Sequence, residues 1–347
     1  MPIFETDFGP VHLGENALNS LDEWLRIHRT KYSNVCILTD ETVHSAVIPR
    51  ILGDLEHLGE SSIVEVPQGE ASKSPEILFQ LWMSLLENRL DRHSLLISIG
   101  GGVVTDLGGF LASTYMRGIE HVLVPTSLLA MVDASIGGKS GINVQGYKNL
   151  VGSFAKAKGI FAWTPALNTL PEEEWRCGFG ECVKHAFLKG GSLWASIEKL
   201  KNFTEILPLL PELVQVKMEI VKADPFEHSE TRMALNLGHT IGHALESGLE
   251  GNESHGNCVA AGLWIESVIA EDLGLLDPSH GLALRCLIDR WWTTRLPIPP
   301  ETISYLHGDK KNRYKKIQFI LPKGPGQRPI LTEVSLGIVE KAINSYV

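Results

Sequence analysis

The sequence predicts an α/β fold in two parts, a parallel α/β domain over residues 1–165 and a mostly α-helical domain over residues 166–347. Three observations carry this. Short apolar runs alternate with helix-period segments through the first half, as in a parallel sheet covered by helices. Beyond Leu170 the pattern changes to helical periodicity with few strand signals. At 347 residues the chain also exceeds the size at which one hydrophobic core usually divides.

Residues 34–39, NVCILT, read as a buried strand, after which Asp40-Glu41-Thr42 can cap a helix. Residues 62–67, SIVEVP, form a second strand, followed by the polar stretch from Gly69 to Pro75 and a helix reaching about Asn88. The run LLISIG at residues 95–100 is a buried strand that ends in Gly100, Gly101 and Gly102, with a helical pattern over residues 103–115. Such a turn brings backbone amides and a helix N-terminus up to a phosphate, although the GxGxxG spacing is absent and the resulting domain is Rossmann-like only in plan. HVLVP at residues 121–125 is the next strand. In the second half, residues 173–188, 207–223, 236–246 and 257–273 read as helices, with a lone strand at residues 317–321.

Composition narrows the function. A net charge of -10 argues against a nucleic-acid partner, because phosphate neutralisation needs a basic surface. No apolar run approaches the ~20 residues of a membrane span. The N-terminus MPIFETDFGP lacks a signal-peptide layout, and five scattered cysteines without a CxxC pair suit a reducing cytoplasm. Against the acidic background, Arg117, Lys139, Lys148, Lys184, Lys217, Arg232 and Lys310 lie in or beside the glycine-rich and histidine-bearing segments, which suggests a small anionic substrate.

The segment LNLGHTIGHALESGLEGNESH, residues 235–255, carries the strongest chemical signal. His239 and His243 are four apart and share a helix face, while the break at residues 248–251 can fold His255 back toward them. Two helix histidines and a third ligand suit a catalytic zinc with an open position. A Gly-Gly-Lys139-Ser140 sequence superficially suggests a phosphate loop, but the required glycine is replaced by Asp133.

Eight motifs in order, GGGVVTDLGGF (100–110), TYMRG (114–118), VPTSLLAMVDASIGGKSGIN (124–143), KNLVGSF (148–154), TLPEEEWRCGFGECVKH (169–185), RMALNLGHTIGHALE (232–246), SHGNCVAAG (254–262) and HGDKK (307–311), resemble the 3-dehydroquinate synthase family of the sugar phosphate cyclases essentially end to end. The resemblance implies an active site in the cleft between the two domains. It also implies a homodimer, bound NAD and a divalent metal, Zn²⁺ or Co²⁺. The implied reaction converts 3-deoxy-D-arabino-heptulosonate 7-phosphate to 3-dehydroquinate and phosphate. Its steps are transient oxidation, phosphate elimination, re-reduction, ring opening and intramolecular aldol closure, serving the shikimate pathway.

Carried over by position, the resemblance implies Glu181, His239 and His255 as metal ligands, so the histidine pair splits into a ligand and a proton-transfer group, His243. Asp133, Lys139, Lys184, Lys217, Arg232 and Asn236 join His243 as implied catalytic residues, with Arg117, Lys148, Asn149 and Lys310 binding substrate. Asp40, Glu70, Lys73, Gly101, Gly102, Val103, Asp106, Thr126, Ser127 and Thr169 are implied NAD contacts, together with Lys139 and Lys148. Four departures stand out: DPFEHSETR at residues 224–232 looks one residue long, Asn257 replaces an expected Glu, His307 an expected Met, and Ser127 an expected Thr. Another sugar phosphate cyclase, a metal-dependent polyol dehydrogenase and a non-enzymatic NAD- or metal-binding module remain as alternatives at this point.

Overall fold

The computed structural model describes residues 2–145, 147–306 and 317–347. It divides into two compact units, Met1–Glu174 and Trp175–Val347. The sequence reading placed the division after residue 165, but the turn Thr164–Thr169 still belongs to the first unit and the boundary falls inside a helix.

In chain order the first unit contains β1 (Ile3–Phe4), β2 (Val11–Gly14), α1 (Ala17–His28), β3 (Val35–Asp40), α2 (Glu41–Ala46), α3 (Ile48–Asp54) and β4 (Ser62–Val66). It continues with α4 (Pro75–Glu87), β5 (Leu95–Gly100), α5 (Gly102–Thr114), β6 (Glu120–Pro125), β7 (Lys139–Val144), β8 (Tyr147–Phe154) and β9 (Ile160–Trp163). Seven strands form one sheet in the order β1-β2-β9-β6-β5-β3-β4, parallel except for β1 against β2. Every residue of β5 and of β9 is buried, as continuous apolar runs in a parallel sheet require. Local chemistry sets the helix starts: Asp40 accepts from the Val43 amide at 2.9 Å to cap α2, and Ser74 caps α4 ahead of Pro75.

Strand β3 is followed by β4 on one side and then by β5 on the other, so the direction of winding reverses between β3 and β5. Ligands of open α/β sheets sit at such a reversal, outside the carboxyl ends of the strands. Asp40 ends β3 and Gly100 ends β5, which places both at that point.

Helix α6 (Glu172–Lys189) leads into the second unit. There follow α7 (Gly191–Ile197), α8 (Leu210–Ala223), α9 (Glu230–Met233), α10 (His239–Gly248), α11 (His255–Asp272), α12 (Pro278–Trp291) and α13 (Thr302–Leu306). The hairpin of β10 (Ile317–Leu321) and β11 (Ile330–Val334) and the helix α14 (Leu336–Tyr346) complete it. Helix α11 is buried along most of its length, as the central helix of a core must be. The helix expected over residues 207–223 begins only at Leu210, because Pro208 leaves the preceding turn as a 3₁₀ segment.

Candidate active site

In the first unit the expected NAD residues gather from segments far apart in sequence. Gly101 is the N-cap of α5, the Thr126 amide donates to the Gly100 carbonyl at 2.9 Å, and a side chain at Gly101 would meet the Ser127 hydroxyl at 3.4 Å. Gly102 and Val103 open the helix, with their backbone at the carboxyl edge of β5. The buried Lys73 ammonium donates to Asp106 and to the Asn149 side-chain oxygen, both at 2.6 Å, and lies 3.7 Å from Glu70. Asn143 closes the ring by donating to Glu70 at 2.8 Å and accepting from the Asn149 amide at 2.9 Å. Asn143 is a member that the sequence reading missed. Burial raises the Asp40 carboxyl, against the opposing amide hydrogen bonds. Thr169 donates to the Ala166 carbonyl at 2.9 Å, closing its own turn.

Asp133 sits in a single π-helical turn, Ala130–Ala134, a geometry frequent at functional sites. Lys139 starts β7 and Lys148 lies in β8, a hairpin for which the sequence gives no strand signal. Strand β8 is mostly exposed and both strands bear glycine, so they carry no apolar alternation to read. The fold does not bring Arg117 to the glycine turn: it is exposed beyond the C-terminal end of α5, and 13 residues separate the ends of that helix by ~20 Å.

In the second unit the three expected metal ligands converge. His239 Nε2 and His255 Nε2 each lie 3.2 Å from the same oxygen, Oε1 of Glu181. Each ligand adjoins a glycine at a helix contact. A side chain at Gly256 would meet the Cys177 carbonyl oxygen at 1.8 Å, so α11 and α6 touch backbone to backbone beside His255 and Glu181. Gly238, with φ +78°, precedes His239, and its carbonyl would be 1.9 Å from any side chain at Gly262 of α11. Backbone contact therefore sets the ligand positions, with little slack from side-chain flexibility.

The outer ring nitrogens are also committed. His239 Nδ1 faces the Leu237 carbonyl at 3.0 Å and His255 Nδ1 faces a Glu246 oxygen at 2.9 Å. Both partners can only accept, so each Nδ1 carries hydrogen, and in a neutral ring Nε2 is a lone pair aimed at a carboxylate. Two acceptors at 3.2 Å need a cation between them. A divalent metal fits this donor set of two imidazoles and one carboxylate, whose ligand atoms all lie within 4.8 Å of one another. Without metal a proton must serve. Burial works against charge on His255, but Glu246 and Glu181 outweigh it and push the group up to about 10. Burial and the Lys184 ammonium lower His239, and burial of Glu181 is overcome by Lys184 and His239, which hold its carboxyl well below the usual range.

His243 is exposed, with its ring 5.2 Å from that of His239 and 6.1 Å from that of His255. It can also join Glu246 and His255 in a second, looser donor group, in which Glu246 is already engaged by His255 Nδ1. The first set is the better one, since it uses nitrogens whose opposite edges are fixed.

Two family models match in tandem: the 3-dehydroquinate synthase N-terminal model over residues 63–177 and the C-terminal model over residues 178–312. The 3-dehydroquinate synthase of Leptospira interrogans serovar copenhageni is 37% identical over 91% of this chain and 89% of that protein. The enzyme of that name from Dictyoglomus thermophilum is 36% identical over 97% and 95%. The chain belongs to the 3-dehydroquinate synthase family. Among solved structures its fold is similar to 2-deoxy-scyllo-inosose synthase complexed with carbaglucose-6-phosphate, NAD⁺ and Co²⁺, with a TM-score of 0.88, 22% identity and complete coverage of both chains. An iron-containing alcohol dehydrogenase shares the fold more distantly, with a TM-score of 0.64 at 13% identity over 100% and 99% of the two chains.

Within this family member two of the departures find local explanations. The segment after α8 folds back on Asp224, which accepts from the His228, Ser229 and Arg232 amides at 2.9, 3.1 and 3.3 Å. Arg232 is thereby buried and donates to the Pro225 carbonyl, while Lys217 is buried on α8. Asn257 accepts from the Trp292 indole at 2.7 Å and donates to Glu253 at 2.7 Å. A Glu there could accept but not donate, and would set two carboxylates together. Asn236 is half-buried in the turn before α10. His307 and Lys310 lie outside the described residues.

Proposed function

We propose that the chain catalyses its family's reaction, conversion of 3-deoxy-D-arabino-heptulosonate 7-phosphate to 3-dehydroquinate and phosphate. The observation that carries this within the family is the convergence of His239 Nε2 and His255 Nε2 on one oxygen of the buried Glu181. Glu181, His239 and His255 would hold the metal, Zn²⁺ or Co²⁺, and the first unit's Asp40, Glu70, Lys73, Asp106, Thr126, Ser127, Thr169 and glycine turn, with Lys139 and Lys148, would hold NAD. When bound, these groups supply Lewis-acid polarisation of a substrate hydroxyl and reversible hydride exchange.

The chain's own residues do the rest. Lys184 balances the Glu181 charge, so the ligand carboxylate is tolerated without exposure. The buried cations Lys217 and Arg232 favour a substrate that brings its own two anions, a carboxylate and a phosphate. Exposed His243, beside the ligand ring of His239, is placed to exchange a proton with substrate and solvent. Asp133, Lys139, Asn149, Asn236 and Lys310 are assigned to orient one reactive conformer through the aldol closure, with Lys148 on the substrate's anions.

A homodimer and a cytoplasmic location complete the reading. Tyr147, Leu150, Val151 and Phe154 are between 41% and 58% exposed along one hairpin, an apolar area that a second copy can cover. The cysteines at 36, 177, 182, 258 and 286 form no disulfide among the described residues. No helix among the described residues is long and apolar enough to cross a membrane.

The test is to incubate purified protein with NAD⁺, Zn²⁺ or Co²⁺ and, in parallel, the heptulosonate phosphate, sedoheptulose 7-phosphate and glucose 6-phosphate, measuring phosphate and free NADH. Phosphate from the heptulosonate alone, without accumulating NADH, is expected. Phosphate from another sugar phosphate would move the chain to a sister cyclase activity, and stoichiometric free NADH would make it a dehydrogenase.

A further inference from the structure

Helix α10 begins at His239, so the metal ligand is its first residue. The first turn of a helix leaves amide hydrogens without intrahelical partners, and the usual remedy is a side chain at the N-cap. Here the N-cap is Gly238, which has none. The cap comes instead from another helix. Glu266 of α11, fully buried, accepts from the Gly238 amide at 2.7 Å through Oε2 and from the Thr240 and Ile241 amides at 3.1 and 3.2 Å through Oε1. The Gly238–Gly262 backbone contact brings α11 close enough, and Glu266 lies one turn beyond it. A buried carboxylate at the positive end of a helix is favourable on both counts, charge and hydrogen bonding.

The arrangement recurs in reverse at the other end of the same helix pair. Glu246, near the end of α10, engages His255, the first residue of α11. The antiparallel helices α10 and α11 thus exchange carboxylates, and at each end the group held is a metal ligand or the backbone beside one. His239 has no carboxylate behind its ring, on the Nδ1 edge. Its Nδ1 bonds the Leu237 carbonyl at 3.0 Å, so the ring is aimed by the 237–239 backbone that Glu266 anchors.

We propose that Glu266 is a positioning residue of the metal centre, fixing the aim of His239 Nε2 toward Glu181 and His255 by capping α10 from α11. The inference rests on the metal assignment above. Glu266→Gln preserves size but turns one acceptor into a donor, which must then face an amide hydrogen of Gly238 or of the Thr240–Ile241 pair. Co²⁺ affinity of the chelator-stripped protein, the visible spectrum of the Co²⁺ form and metal-free thermal unfolding would be measured for wild type and Glu266→Gln. Leu284→Ala, a buried cavity on α12, serves as a purely structural reference.

Glu266→Gln should bind Co²⁺ about 10- to 100-fold more weakly, the usual effect of losing an outer partner of a metal ligand, with a shifted spectrum at saturation. Leu284→Ala should unfold at lower temperature yet keep affinity and spectrum. Wild-type affinity and spectrum in Glu266→Gln would overturn the proposal, as would equal losses in both variants. Failure of Glu266→Gln and Glu266→Asp to fold, while Leu284→Ala folds, would also overturn it, in favour of a general folding role. Wild-type protein that does not bind Co²⁺ would instead sink the metal assignment itself.

Discussion

Metal binding should release one proton from His255, and the metal affinity should therefore climb with pH. In the metal-free site His255 Nε2 holds a proton against Glu181, with Glu246 on the opposite edge raising the group to about 10. The ion needs that lone pair. His239 is lowered by burial and Lys184, and Glu181 lies well below its usual range, so neither contributes a proton near neutrality. One displaced proton means a tenfold gain in affinity per pH unit, or about 100-fold between pH 7 and pH 9, levelling off near 10. At acid pH a second proton, on His239, should steepen the slope, later than for an ordinary imidazole because burial and Lys184 lower the group.

The assay is competition for Co²⁺ against a chromophoric chelator at each pH, with calorimetry in buffers of different ionisation heat to count protons at pH 7.5. Stability runs the opposite way. The His255 charge stabilises the metal-free fold fully below its unfolded value near 6.5, and that contribution is lost as pH rises through about 10. Metal-free thermal stability from this group should thus fall across the window in which metal affinity rises. Glu246→Gln should reduce the proton count at pH 8 below one. Affinity that is flat between pH 7 and pH 9, or metal uptake without proton release at pH 7.5, would refute the donor argument.

Other predictions address the remaining parts of the site. His239→Ala should lose bound metal, whereas His243→Ala should retain most of it and lose rate, and metal content measured on both decides between the ligand and proton-transfer roles. Gly256→Ala forces Cβ onto the Cys177 carbonyl and should cost about 3 kcal/mol, with metal affinity reduced because Glu181 and His255 are pushed apart; an unchanged unfolding temperature would contradict the packing account. Arg232→Ala should lower kcat/KM for the heptulosonate phosphate by ~100-fold with metal content intact, and wild-type kinetics would remove Arg232 from substrate binding. Chelation should abolish phosphate release and added Zn²⁺ or Co²⁺ restore it, as read by a phosphate assay before and after dialysis.

Periodicity and glycine placement made the architecture legible in the sequence. The apolar runs at β3 and β5 could bury only in a parallel sheet, and the loss of strand signals after Leu170 marked the helical half. The motif order made the family legible, and with it Glu181 as the proposed third ligand, which no spacing rule would have paired with histidines 58 and 74 residues away. Residues whose roles depend on contact between distant segments were not legible. Asn143 in the Lys73 network, Glu246 behind His255 and Glu266 beneath α10 are ordinary polar residues in sequence, distinguished only once helices and strands meet. The β7–β8 hairpin escaped because its glycine-bearing strands carry no apolar alternation. Local pattern reports which face of an element seeks the core, whereas a ligand's aim is set by what lies behind it, and here that comes from glycine-to-backbone contacts and carboxylates on neighbouring helices.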